Sequence, residues 1–245
     1  MNTYRDRVAV VTGGSRGIGE AIARGLTALG ASVVVIDRSF EEDLPTRSWC
    51  ALTVCADVSS MAAVESAFRE VVAKFGRIDL LVNNAGVDRP GLFVDSTPAD
   101  WAAILDVDLV GTLNCCRQVL PTMIEQEAGA IVNIASDAGR VGSAQQAVYS
   151  AAKGGVIAFS KSLAREVARH SITVNCVCPG PSDTPMTAVH SADDPRLRDA
   201  LVRSIPMRRL AQPLDVAAAV TYLGSQAAAY VTGQTLSVSG GLTMA

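Results

Sequence analysis

Apolar runs and helical stripes alternate along most of this chain. Residues 7–12 form an apolar run, helical spacing follows to Leu29, and residues 32–37 then place Val33, Val34, Val35 and Ile36 side by side. A strand without a polar face needs cover on both sides, so such runs predict a parallel sheet between two layers of helices. Further strands are predicted near residues 51–56 and at 78–83, around a helix from about 60 to 75. A long helical region from about 98 to 127 comes next, with Thr97 as its cap and Pro98 in its first turn. A strand at 130–135, a helix from about 148 to 170, a strand at 172–177, a helix at about 214–223 and a last strand near 235–239 complete the pattern. Repeated β-α-β units of this kind predict an α/β fold: one Rossmann-type, doubly wound parallel sheet with helices on both faces.

The rhythm breaks between residues 179 and 213, where prolines, acids and arginines crowd together. Residues of about 181–212 are therefore expected to form a substrate lid with short helices. No repeat or low-complexity linker divides the chain, and 245 residues suit a single dinucleotide-binding catalytic domain over 1–245.

With 49% hydrophobic and 18% charged residues the chain is too apolar to be disordered, and no apolar run is long enough to span a membrane. A net charge of -3 and 4% aromatic residues leave little to attract phosphates or stack on bases, which argues against a nucleic-acid partner. Polar residues lead straight into the first strand, leaving no hydrophobic centre for a secretory signal, so a cytoplasmic protein is expected. The six cysteines include no CxxC pair and have no histidine at zinc spacing, so core packing and no metal are expected.

The first strand runs into Thr12-Gly13-Gly14-Ser15-Arg16-Gly17-Ile18-Gly19. Glycines permit a tight turn here, and the N–H groups that open the next helix can hold a pyrophosphate. Asp37 closes the second strand, where a carboxylate can accept from a ribose hydroxyl and repel a 2′-phosphate, favouring NAD. Arg16 and Arg38 carry the opposing signal, since either could contact that phosphate.

Over nearly its full length, from Thr12 to Ser239-Gly240-Gly241, the chain resembles the short-chain dehydrogenase/reductase family. The resemblance assigns Asp57 and Val58 to the adenine side of a dinucleotide pocket. It assigns Asn84, Ala85 and Gly86, in Asn83-Asn84-Ala85-Gly86, to a cofactor-supporting turn, and Pro179, Gly180 and Thr184 to the nicotinamide side. Ser136, Tyr149 thirteen positions later and Lys153 four beyond that correspond to the family's oxygen-positioning, proton-transfer and tyrosine-activating residues. Tyr149 and Lys153 would lie one turn apart on one helical face. The ammonium, with an oxidised nicotinamide, would favour the phenolate of a group whose ordinary pKa is about 10.

The resemblance implies an oxidoreductase interconverting a secondary alcohol and a ketone, working as a homo-oligomer, a tetramer before a dimer. One position departs from it. Asp108-Leu109-Val110-Gly111 stands where the family commonly has Asn-Leu-x-Gly, so Asp108 replaces a fourth catalytic residue and lacks its amide donor. It could preserve a water-linked route from Lys153 through its backbone carbonyl, alter the pH profile, or serve the helix alone.

The segments 134–142 and 177–181 look especially similar to dehydrogenases acting on 2-hydroxycyclohexanecarboxyl-CoA. That implies oxidation of a ring alcohol beside a thioester. A broad 3-oxoacyl or xenobiotic ketone reductase, an alicyclic diol or hydroxy-acid dehydrogenase, and a nonenzymatic NAD-binding interaction protein are the alternatives. Ala138, Val141, Gln146, Met186 and Val189 are expected to frame the substrate beside Ser136, with Arg140 as a charged contact. Arg196, Arg198, Arg203, Arg208 and Arg209 could meet phosphates, and His190 could touch substrate, whereas His170 reads as a helix end.

Overall fold

The computed structural model describes residues 3–40, 49–185 and 195–244, with the backbone alone for 195–197. Its strands are β1 (Val8–Thr12), β2 (Ser32–Asp37), β3 (Leu52–Cys55), β4 (Leu80–Asn83), β5 (Gly129–Ile134), β6 (Ile172–Pro179) and β7 (Thr235–Val238). All pair in parallel in one sheet of order β3-β2-β1-β4-β5-β6-β7. The order reverses between β1 and β4, which opens a crevice beyond their C-terminal ends.

The unbroken apolar runs divide their side chains between two cores. Val8 and Val10 of β1, with Val34 and Ile36 of β2, pack on one face among residues of α2 (Met61–Phe75) and α4 (Gly111–Glu125). Ala9, Val11, Val33 and Val35 face the other way, against α1 (Gly17–Ala28) and α8 (Pro213–Leu223). Alternate side chains of a pleated strand point to opposite faces, so a strand covered twice carries no polar register. The remaining helices are α3 (Pro98–Leu105), the short α5 (Ala138–Val141), α6 (Ala147–Val167) and α7 (Pro195–Ser204).

The helical region expected over 98–127 runs from Pro98 to Glu125, but its winding is not uniform. Thr97 caps α3 and its partner Asp100 closes a capping box, but residues Asp106–Val110 widen into a π turn before α4 begins. The widening turns Asp108 inward, where it is fully buried, and the Thr112 hydroxyl donates to the Asp108 carbonyl at 3.2 Å. Periodicity cannot reveal this one-residue change of phase, because its cause lies on other elements. Strand β6 also runs two residues further than expected, to Pro179, because β7 pairs with it to that end. No helix among the described residues is long and apolar enough to cross a membrane.

Candidate active site

At the crevice, the turn after β1 and the start of α1 lie against the loop after β4. The Thr12 hydroxyl accepts from the Asn84 and Ala85 amides at 3.0 and 3.1 Å. The Asn84 side chain returns two bonds, to the carbonyls of Thr12 at 3.1 Å and Gly13 at 3.0 Å. Gly19 is obligatory in this arrangement, since a Cβ there would stand 2.1 Å from the Gly13 carbonyl oxygen. Arg16 precedes α1 in extended backbone and offers it no side-chain cap, so the first N–H groups of the helix face the crevice without a capping side chain. That donor set fits an anionic pyrophosphate.

Asp37 sits at the end of β2 with both carboxylate oxygens engaged, accepting from Ser15 N at 3.1 Å and Arg38 N at 2.9 Å. A carboxylate has further lone pairs, so it can still accept from a ribose. The Arg16 and Arg38 side chains are exposed. Asp57 accepts from the Ser59 hydroxyl at 2.7 Å and amide at 2.9 Å; these bonds hold its carboxyl below the ordinary range. Val58 is buried, and its carbonyl is taken by the Asn114 amide at 2.9 Å. Thr184 lies across from Gly17, 3.9 Å from where a Cβ there would be.

Beyond β5, Ser136, Tyr149, Lys153 and Asp108 come together. Ser136 shares a side-chain hydrogen bond with Tyr149 and also accepts from Ala138 N at 3.1 Å. The Lys153 ammonium lies 5.6 Å from the centre of the Tyr149 ring and donates to the Ile134 carbonyl at 3.2 Å. It forms an ion pair with Asp108 at 2.8 Å, with both side chains almost wholly buried. The second oxygen of Asp108 accepts from Val87 N at 3.0 Å. Gly86 lies directly over the pair: a Cβ there would come within 2.8 Å of Asp108 Oδ1.

Burial pushes the Asp108 carboxyl upward against the pull of Lys153 and the Val87 amide. Burial works against the Lys153 ammonium, but Asp108 and Tyr149 carry its net direction upward. The ion pair at 2.8 Å couples the two groups, so they respond to pH together. Burial also raises the Tyr149 phenol; Lys153 lowers it, Asp108 raises it, the bond with Ser136 lowers it and Asp88 raises it, with a net upward direction. The expected phenolate-favouring influence of Lys153 is present, but in the protein alone it does not prevail.

Beside Tyr149 opens a cleft whose walls include Asp88, Phe93, Trp101, Ile104 and Gln146. Gln146 donates to Asp88 there. Ala138 follows Ser136 on α5, whereas Val141, at the end of that helix, is 61% exposed. Arg140 is drawn away to β7, donating to the Ser237 hydroxyl at 2.7 Å. Arg198 and Arg209 pair with Asp183 at 3.3 Å and Asp215 at 2.5 Å, and Arg208 donates to the Arg203 carbonyl. These guanidiniums are thus held by the protein. Met186, Val189, His190 and the Arg196 side chain lie outside the described residues. His170 ends the turn after α6 and meets Glu127 at 2.8 Å.

Sequence reasoning missed Thr12 as the hub of the turn, and it missed the loop after β4 as a wall of the cleft. Phe93 and Trp101 stack with centroids 5.3 Å apart, and two rings so near in a chain of 4% aromatics were the available signal. Cys115, Cys116, Cys176 and Cys178 are buried, Cys50 is half-buried and Cys55 exposed. Among the described residues no group of three or more His, Cys, Asp or Glu could hold a metal.

A family model described as enoyl-(acyl carrier protein) reductase matches residues 13–243. The chain is 40% identical over 252 residues to a 3-oxoacyl-[acyl-carrier-protein] reductase of Synechocystis, with 100% of each chain covered. It is 39% identical over 245 residues to the 3-oxoacyl-[acyl-carrier-protein] reductase FabG of Salmonella typhimurium, covering 99% of each. Among solved structures, that of gox2181 matches with a TM-score of 0.90 at 33% identity, over 98% of this chain and 97% of the other.

Proposed function

Since this chain belongs to the short-chain dehydrogenase/reductase family, we propose that it interconverts 3-hydroxyacyl and 3-oxoacyl thioesters with NAD(H), using Tyr149 as its proton-transfer group. The observation that carries the reaction class is the meeting of Ser136, Tyr149 and Lys153 at the C-terminal crevice of the sheet. A bound nicotinamide supplies hydride exchange at the substrate carbon. In reduction, the carbonyl carbon gains the hydride, and its oxygen takes the phenolic proton of Tyr149 while the Ser136 hydroxyl donates to it. In oxidation the proton transfer runs the other way, the alcohol proton passing to the Tyr149 phenolate. Lys153 holds positive charge beneath the phenol, and the N-terminal amides of α1 hold the pyrophosphate. The Asp37 carboxylate supports NAD over NADP.

The relatives' names speak for a linear 3-oxoacyl thioester. The cyclic substrate expected from residues 134–142 and 177–181 rests on those short segments, Tyr149 and the ending 236–244. The two substrates share their chemistry, because in 2-hydroxycyclohexanecarboxyl-CoA the alcohol carbon is also β to the thioester carbonyl. A cleft walled by Phe93, Trp101 and Ile104 offers apolar contact to either. The deciding assay follows NADH appearance or loss with linear 3-hydroxyacyl and 3-oxoacyl thioesters, the ring thioester, the free acids and simple alicyclic alcohols. The linear thioesters should lead, and Tyr149→Phe should lower turnover by roughly a hundredfold or more with NADH binding retained. A dominant ring-thioester activity would replace the linear reading, and near-normal turnover by Tyr149→Phe would refute the proton-transfer role.

A further inference from the structure

The ion pair beneath Tyr149 has an unusual partner for its lysine. An amide at position 108 could only accept from Lys153 through its oxygen, without a charge, whereas Asp108 meets the ammonium directly with a charge, at 2.8 Å, in a place closed to water. The contact is built, not incidental. The π turn aims Asp108 inward, Val87 N fixes its second oxygen at 3.0 Å, and Gly86 leaves just enough room above it. Lys153 in turn is fixed by the Ile134 carbonyl at 3.2 Å.

We propose that Asp108 is a positioning residue which, by closing this direct ion pair on Lys153, sets how alkaline the solution must be before the protein oxidises an alcohol. The proposal rests on the reading of Tyr149 as the proton-transfer group. Reduction needs the phenol protonated and oxidation needs it deprotonated. An ammonium facing Tyr149 alone would favour the deprotonated form, but here a carboxylate lies within 2.8 Å of the same ammonium and cancels much of its field. The other groups around Tyr149 and Lys153 do not restore it. Asp88, on the loop after β4, acts on the phenol in the same sense as Asp108, whereas the Ser136 bond acts against it. Cys178 of β6 also faces Lys153, but burial keeps its thiol neutral across this range, so it adds no charge. At neutral pH the site is therefore poised as a proton donor, which suits carbonyl reduction.

The test records pH profiles of oxidation and reduction from about pH 6 to about pH 10.5, spanning the ordinary tyrosine value. Wild type, Asp108→Asn and Tyr149→Phe are compared, with NADH binding and thermal unfolding measured alongside. In Asp108→Asn the midpoint of the oxidation limb should move down by about one pH unit, so that oxidation near neutrality rises roughly tenfold relative to its alkaline plateau. A residue that merely supports the helix would lower both directions at every pH and leave the midpoint in place. An unmoved or raised midpoint overturns the proposal, provided that Tyr149→Phe is inactive; activity in Tyr149→Phe would instead refute the underlying function. Should Asp108→Asn fail to fold, the wild type decides alone. Its oxidation midpoint should then lie nearer to about 10 than to neutrality, and a near-neutral midpoint overturns the proposal.

Discussion

Replacing Asp37 with Asn removes one charge from the end of β2 while keeping the side chain's shape. The carboxylate accepts from Ser15 N and Arg38 N, and Asn retains a single acceptor, so one of these bonds is lost. A bond to a charged acceptor is worth about 1.5–3 kcal/mol, but water can replace it at the exposed Arg38 amide, so the fold should lose less than that. The cofactor loses more. A hydrogen bond from a ribose hydroxyl to a charged acceptor is worth about 1.5–3 kcal/mol, which weakens NADH binding by roughly ten- to a hundredfold. Repulsion between the carboxylate and a 2′-phosphate disappears at the same time. At about 1 kcal/mol per pair of unit charges 4 Å apart in water, that favours NADPH by roughly thirtyfold for a phosphate carrying nearly two negative charges. The preference for NADH over NADPH should therefore narrow by about a hundredfold or more. Fluorescence titrations of both reduced cofactors at matched ionic strength measure it, with thermal unfolding as the control for fold. Tighter binding of NADPH by the wild type, or an unchanged ratio in the variant, would refute the reasoning.

Two further perturbations follow from the packing. Gly19→Ala places a methyl group 2.1 Å from the Gly13 carbonyl and 2.5 Å from Asn84 Nδ2; overpacking of this kind costs about 1–3 kcal/mol or more, and NADH affinity should fall at least roughly tenfold. Unchanged NADH affinity in a folded variant would remove the glycine turn from the cofactor site. Burial pushes the Cys176 thiol up to about 11 and those of Cys116 and Cys178 up to about 12, from an ordinary 9.0. A group raised in the folded state contributes stability that is intact below its unfolded value and is lost as pH climbs through the folded one. The melting temperature should therefore fall between about pH 9 and pH 11, with Cys176 among the contributors. In Cys176→Ala the fall should be shallower, and an unchanged slope would dismiss this thiol as a source.

What could be read without coordinates was whatever depends on neighbours in sequence. Strand β2 has the bounds that its apolar run predicts, and Thr97 caps α3 through a residue three positions on. The juxtaposition of Tyr149 and Lys153 follows from a single helical turn. Features fixed by distant partners were hidden. The π turn at Asp106–Val110 answers to Lys153 and Val87, Arg140 is claimed by Ser237 of the edge strand β7, and Thr12 meets Asn84 across 72 positions. Arginines read as candidate ligand contacts carry the same lesson, since Arg209 finds Asp215 only after the chain turns into α8.

The reciprocal bonding of Thr12 and Asn84 bears on how this site could be rebuilt. The glycine turn is tied to the loop after β4 by four hydrogen bonds, from parts of the chain 71 to 73 positions apart. A graft that replaces Thr12 together with the turn would leave two backbone N–H groups without its hydroxyl, and the Asn84 amide would keep its partners only if the new turn holds the carbonyls of positions 12 and 13 in the same place. The transplantable unit is thus discontinuous: strand end, turn and the Asn84-Ala85 dipeptide travel together, and Asp37 at the end of β2, which accepts from Ser15 N of the turn, belongs with them.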